Sequence, residues 1–209
     1  MLCKETVEPA TLDLILRLQS DSLFEKFFLV GGTSLSLQIG HRKSIDIDLF
    51  SQEPFDHVVF SDYLEHKFSF SVQYMHTNTL KGIINGIFVD FITHNYPYVS
   101  APIQIEGINM LGKSDIAAMK INAISGNGTR LKDFIDIYFL LKEYDFGQLI
   151  GFYKKKYGNR NEFHALKSLT YFEDINKDDW PEMILEPKLK FAKLKKEIIL
   201  KRDLFLNNL

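Results

Sequence analysis

Cysteine is almost absent: Cys3 is the single one in 209 residues. No internal disulfide can form and no cysteine-based metal site can be assembled, so the disulfide-stapled class is excluded and a reducing cytoplasm is the expected location. Long apolar runs are missing too. Nothing approaches the roughly 20 residues that a membrane-spanning helix needs, so no membrane partner is expected. The opening segment MLCKETVEPATLDLILRLQS has neither the apolar core nor the small-residue cleavage site of a signal peptide. Charge of one sign is not in excess: the net charge is -2, which gives no whole-molecule field for a polyanion. Internal repeats, low-complexity tracts and Gly/Ser linkers are also lacking.

What is present is ordinary for a globular chain. The hydrophobic fraction is 45% and the charged fraction 25%, enough to bury a core without staples. One local charge bias stands out, the stretch KLKFAKLKKEIILKR over residues 188–202, rich in Lys and Arg with Glu197 as its one acid. A solvated amphipathic helix and a phosphate-backbone surface are both open readings of it.

Periodicity divides the chain. A helix is expected after Pro9, with Leu12, Ile15, Leu16 and Leu23 on its apolar face. Phe27 to Val30 reads as a buried strand that turns at Gly31-Gly32 into a short helix over 33–39. Residues 45–50 (IDIDLF) alternate strictly, which is strand periodicity: Ile45, Ile47 and Leu49 on one face, Asp46 and Asp48 on the other. Residues 54–67 read as a helix and 68–75 as a strand. Asn85-Gly86 between two apolar runs suits a two-residue type I′ hairpin turn, with Asp90 on its second arm. After Pro102 helical spacing takes over. Ser114 is the expected N-cap of a helix to Ile124, Gly126-Asn127-Gly128 breaks it, and 129–144 forms the next. The remainder reads as mostly helical, interrupted near 178–181. The fold class is therefore α+β: a mixed sheet with flanking helices over 1–108, then a mostly helical part over 109–209.

Two acids at i and i+2 on a strand share a face, roughly 7 Å apart at the backbone. Like charges so placed are costly without a counter-ion, and hard divalent cations seek carboxylate oxygens. A bare D-x-D is more often the wet face of an edge strand. Here its flanks are Ile, Ile, Leu and Phe, so the acids line a cleft beside a packed core. The Gly31-Gly32-Thr33-Ser34 turn just upstream offers backbone N–H groups and hydroxyls at a helix start, where phosphates bind, although glycines in such turns also serve purely steric ends. Asp90, between Val89 and Phe91, is a third acid in similar surroundings. The six histidines have no metal-ligand spacing and are given no role. Trp180 and the other aromatics read as core.

Gly31-Gly32-Thr33-Ser34 followed by Asp46-Ile47-Asp48-Leu49 resembles the signature of the DNA polymerase beta-like nucleotidyltransferase superfamily. The fuller string GGTSLSLQIGHRKSIDIDLF is similar to one branch, the AbiEii/AbiGii toxin family, with Arg42 and Ser44 at its additional positions. Lys120 in AAMKINAI, Arg130-Leu131-Lys132-Asp133 with Asp136, and LTYFEDINKDDWPEMI further on resemble that family's downstream motifs. The resemblance implies a nucleotidyltransferase-type sheet completed by a helical domain. It implies magnesium, two ions, on Asp46, Asp48 and Asp90. It implies a nucleoside triphosphate contacted by Gly31, Gly32, Thr33, Ser34, Arg42, Ser44, Lys120, Arg130, Lys132 and Asp136. Lys120 and Asp133 join the three strand acids as catalytic candidates. Family members are toxins of toxin–antitoxin or phage-defence systems, some of which modify the acceptor end of tRNA, and their partner is a separate antitoxin protein. By spacing alone Arg130, Asp133 and Asp136 also fit a surface ion-pair ladder along one helix. Transfer to a small molecule or a protein, and a non-catalytic module that binds nucleotide or a partner, are the competing readings.

Overall fold

The computed structural model describes residues 1–158 and 160–208. Two compact units emerge, one from Met1–Tyr96 with Pro102–Leu111, the other from Pro97–Ala101 with the chain from Gly112 onward.

The first unit is built on a seven-stranded mixed sheet. Its strands are β1 (Phe28–Val30), β2 (Ile47–Ser51), β3 (Ser71–His76), β4 (Thr79–Ile84), β5 (Ile87–Thr93), β6 (Ile103–Ile105) and β7 (Ile108–Met110). Their order is β3-β4-β5-β2-β1-β7-β6. Strand β2 runs parallel to β5 and antiparallel to β1. One row across the sheet explains the fold. Leu80, Phe91, Leu49, Leu29 and Met110 stand opposite one another and all have zero exposure. Fully burying one such side chain contributes about 1.5–3 kcal/mol. The core they form is closed by α1 (Pro9–Gln19) and α3 (His57–Phe68) through Leu14, Ile15, Leu18, Phe60, Leu64 and Phe68. Helix α2 (Gly31–Ile39) follows β1 directly.

The hairpin forms as read: Asn85 and Gly86 have φ of 50° and 83°, the left-handed pair that a type I′ turn requires. Three local expectations need correction. The buried stripe of α1 is Thr11, Leu14, Ile15 and Leu18, with Leu12 and Leu16 on its shoulder. Helix α3 starts at His57, after Asp56 whose carboxylate caps the Val58 and Val59 amides at 2.9 and 3.2 Å, and runs through Phe68, so β3 begins only at Ser71. Strand β2 begins at Ile47, not Ile45, and Ile45 is 59% exposed.

The second unit is helical: α4 (Lys113–Gly126), α5 (Leu131–Leu140), α6 (Phe146–Tyr157), α7 (Glu162–Ser168) and α8 (Phe191–Leu206). Helix α4 is capped by Gly112 with no side-chain bond, so Ser114 is not its N-cap. The break expected near 178–181 spans the whole of 169–190, ordered by tertiary contacts such as Phe172 against Phe134 and Phe191. Helix α8 holds the basic stretch. Leu194 and Ile198 are its buried stripe, and Lys193 and Arg202 are paired with Glu186 and Asp203. Among the described residues no helix is long and apolar enough to cross a membrane.

Candidate functional site

The polar row lies one residue out of step with the apolar one. Lys81, Asp90, Asp48 and Val30 stand opposite one another across β4, β5, β2 and β1. Directly opposed residues share a sheet face, so the carboxylates of Asp48 and Asp90 project from adjacent parallel strands on the face turned away from the aliphatic row. Neighbours in sequence hold them there: Ile47, Leu49, Val89 and Phe91 are each at most 1% exposed, and a one-residue slip would put four apolar side chains in water.

Asp46 precedes the strand and is exposed. Its main-chain oxygen accepts the Thr33 hydroxyl, whose Oγ1 is also within hydrogen-bond distance of Ser44 Oγ at 2.9 Å. Ser44 N–H in turn bonds Thr6 O at 2.9 Å. The 44–46 segment is thus pinned to the start of α2 and not to the sheet ladder, which is why the alternation begins before the strand does.

Both glycines of the turn have occupied surroundings. A Cβ on Gly31, whose φ is +70°, would lie 2.1 Å from Asp48 Oδ2. A Cβ on Gly32 would lie 2.5 Å from Arg42 Nη2 and 3.2 Å from Ser44 Oγ. One glycine therefore lets a carboxylate approach the start of α2, and the other a guanidinium. Arg42 is 3% exposed and donates from Nη1 to Lys43 O at 3.0 Å. Ser34 is fully buried; its Oγ meets Leu111 O at 3.4 Å and Gln38 Nε2 at 3.0 Å.

Lys81 was not among the residues singled out from the sequence. Its ammonium donates to Asp90 Oδ2, and the side chains are 39% and 23% exposed. The hairpin itself contains the signal: counting outward from Asn85-Gly86 pairs Ile84 with Ile87 and then Lys81 with Asp90.

In the helical unit Lys120 of α4 is bound by both acids of α5, at 2.6 Å to Asp133 Oδ1 and 2.8 Å to Asp136 Oδ2. All three are buried, and Asp133 Oδ2 has no hydrogen-bond partner among the described residues. The surface ladder read from spacing is therefore overturned. Asp133 and Asp136 face inward, whereas Arg130 is the exposed N-cap residue of α5. Lys132 pairs with Asp179 at 3.0 Å.

Among the described residues no three His, Cys, Asp or Glu form a ready cluster for a metal ion. The donor chemistry on the sheet nonetheless suits magnesium, which takes one or two protein carboxylates and completes its shell with water and substrate phosphates. Two hard oxygen donors on one face, against a glycine that leaves room for one of them, meet that description.

A family model described as "Nucleotidyl transferase AbiEii toxin, Type IV TA system" matches residues 13–109. The uncharacterised protein aq_aa25 of Aquifex aeolicus (strain VF5) is 35% identical over 163 residues, covering 75% of this chain and 79% of its own. Among solved structures, MenT4, the nucleotidyltransferase toxin Rv2826c of Mycobacterium tuberculosis H37Rv, has a TM-score of 0.64 at 17% identity and covers 96% of this chain and 82% of its own. A candidate nucleotidyltransferase from H. pylori has a TM-score of 0.59 at 16% identity, with coverages of 95% and 93%. At such identities the likeness to the solved structures is one of fold.

Proposed function

The chain belongs to the AbiEii-like nucleotidyltransferase toxin family, and from that premise we propose that it is a magnesium-dependent enzyme serving as the toxin of a toxin–antitoxin or phage-defence system. It moves a nucleoside monophosphate from a nucleoside triphosphate to an acceptor hydroxyl and releases pyrophosphate. The observation that carries this reading is the register of Asp48 with Asp90 on one face, with Asp48 against Gly31 at the start of α2.

In this reading Asp46, Asp48 and Asp90 are the metal ligands, and Asp90 keeps one carboxylate oxygen for the acceptor. These carboxylates would hold magnesium, as two ions, which would supply charge withdrawal from the α-phosphate and the departing pyrophosphate. The Asp90 carboxylate takes the proton of the attacking hydroxyl. Backbone N–H groups of Gly31 and Gly32, at the positive end of α2, face the phosphates. Arg42 and Ser44, packed beside Gly32, add charge and a hydroxyl. Thr33 keeps the Asp46 segment in place, and Ser34 fixes α2 from within. In the helical unit, the family resemblance assigns Lys120, oriented by Asp133 and Asp136, together with Arg130 and Lys132, to phosphate charge. Positioning and electrostatics are most of what such a reaction asks of a protein.

For the acceptor we favour the end of an RNA such as tRNA. Tyr74 stands opposite Lys81, and Phe88 lies two residues before Asp90 on the same face; each is 53% exposed. Exposed aromatics beside a reacting centre suit unpaired bases, which stack on them at about 1–3 kcal/mol each. A small-molecule acceptor has no need of this platform. A cognate antitoxin is the expected protein partner.

The test is transfer of label from each α-labelled nucleoside triphosphate to total tRNA, a protein extract or an aminoglycoside. Asp48→Asn is expected to abolish transfer while circular dichroism stays native. Label retained by that variant would sink the assignment, and label on protein or drug alone would move the acceptor.

A further inference from the structure

The polar row contains a cation that the nucleotidyl-transfer reading does not use. Lys81 stands directly opposite Asp90, and its ammonium is bonded to Oδ2 of that acid. On the other side of Asp90 stands Asp48, one parallel strand away at about 4.8 Å spacing. Two carboxylates directly opposed are mutually repulsive. Lys81 offsets one of the two charges and leaves the row negative by one, short of what a divalent cation would supply.

Resting on the reading above, we propose that Lys81 is a positioning residue: an internal counter-ion that holds Asp90 until a divalent cation takes that carboxylate, and whose ammonium then serves the phosphates of the incoming nucleotide. The bond is made to be exchanged. Both partners are partly exposed, and ion pairs of that kind are weak, whereas a divalent ion is attracted by both carboxylates at once and with twice the charge. Lys81 is on a neighbouring strand in the same row, so release costs only side-chain rotation. No backbone has to move.

The experiment is a manganese titration of the full chain, read by the electron paramagnetic resonance of free ion, for wild type, Lys81→Met, Lys81→Arg and Asp48→Asn. Removing the competing charge should tighten manganese binding in Lys81→Met about tenfold, and Lys81→Arg should stay near wild type. At saturating manganese, each of the four nucleoside triphosphates is then titrated, and Lys81→Met should bind the preferred one about tenfold more weakly. A purely structural lysine would lower the melting temperature and leave both affinities alone. Unchanged or weaker manganese binding in a folded Lys81→Met, with Asp48→Asn impaired, overturns the role of Lys81 and leaves the metal site standing. Equal binding in Asp48→Asn and wild type, or none in wild type, overturns both. If Lys81→Met does not fold, Lys81→Gln carries the same comparison.

Discussion

Gly31 is held to glycine by two separate constraints. A positive φ costs a residue with a Cβ about 1 kcal/mol or more, the usual reason for glycine in such a place. Here a second constraint is added, because the Cβ position is already taken by Asp48 Oδ2. The two effects can be separated by comparing Gly31→Ala with Gly86→Ala. Gly86 has a φ of +83° and nothing within 4 Å of its Cβ position. Both substitutions should lower stability by about 1 kcal/mol through backbone strain. Only Gly31→Ala should also displace the Asp48 carboxylate and weaken manganese binding. Chemical denaturation measures the first effect and a metal titration the second; equal metal affinity in the two variants would show that Asp48 is not held by this contact. At this scale the sequence was partly legible. The Gly-Gly turn and the two strand acids stand out by type and spacing. That Asp46 leaves the strand does not, since alternation cannot register a carbonyl diverted to Thr33.

Between elements, side chains decide what periodicity leaves open. Spacing placed Arg130, Asp133 and Asp136 together, but the helix turns both acids onto Lys120 of a neighbouring helix. Local spacing gives neighbours along one helix and no knowledge of what packs against it. The same limit applies to 169–190, where a loop acid ties helices together. Glu186 accepts from Lys142, from Lys193 at 2.8 Å and from Tyr138 at 3.0 Å. The hydrogen bonds from Lys142 and then Lys193 pull its pKa down to about 2, against an ordinary 4.5, while burial followed by the bond to Glu186 raises that of the Tyr138 phenol. Because the folded state binds its proton more weakly than the unfolded one, Glu186 contributes stability that is complete above about pH 4.5 and lost as the pH falls toward 2. Glu186→Gln should therefore be less stable at neutral pH, by about 1 kcal/mol for a group still reached by solvent, and should show a shallower loss between those two pH values. Urea midpoints across that range test this; parallel acid limbs in the two proteins would rule it out.

Over the whole chain, the shift from strand to helix near residue 108 is plain in the sequence, yet nothing in the pattern marks 97–101 as part of the helical unit. A buried carboxylate is central to that attachment, beside the Lys155 ammonium, which donates to Val99 O at 2.8 Å. Asp115 of α4 accepts the amides of Val99 and Ser100 at 2.9 and 3.0 Å and the ammonium of Lys156 in α6 at 2.8 Å, and Lys156 also reaches Pro97 O at 3.2 Å. Both charged side chains have zero exposure. A buried pair of this kind adds little net stability over an apolar pair of the same shape, but breaking it from one side leaves a charge without counter-ion or water, at about 3–5 kcal/mol. Lys156→Met should thus be severely destabilising. Lys156→Met with Asp115→Leu removes the orphaned charge but strands the two amides, each costing about 1–3 kcal/mol. The double variant should therefore recover only part of the loss, and hydrogen exchange at Val99 and Ser100 should accelerate in both variants. Full recovery of the urea midpoint in the double variant would mean that the two amides find other acceptors, and that the carboxylate is not what holds 97–101 to the helices.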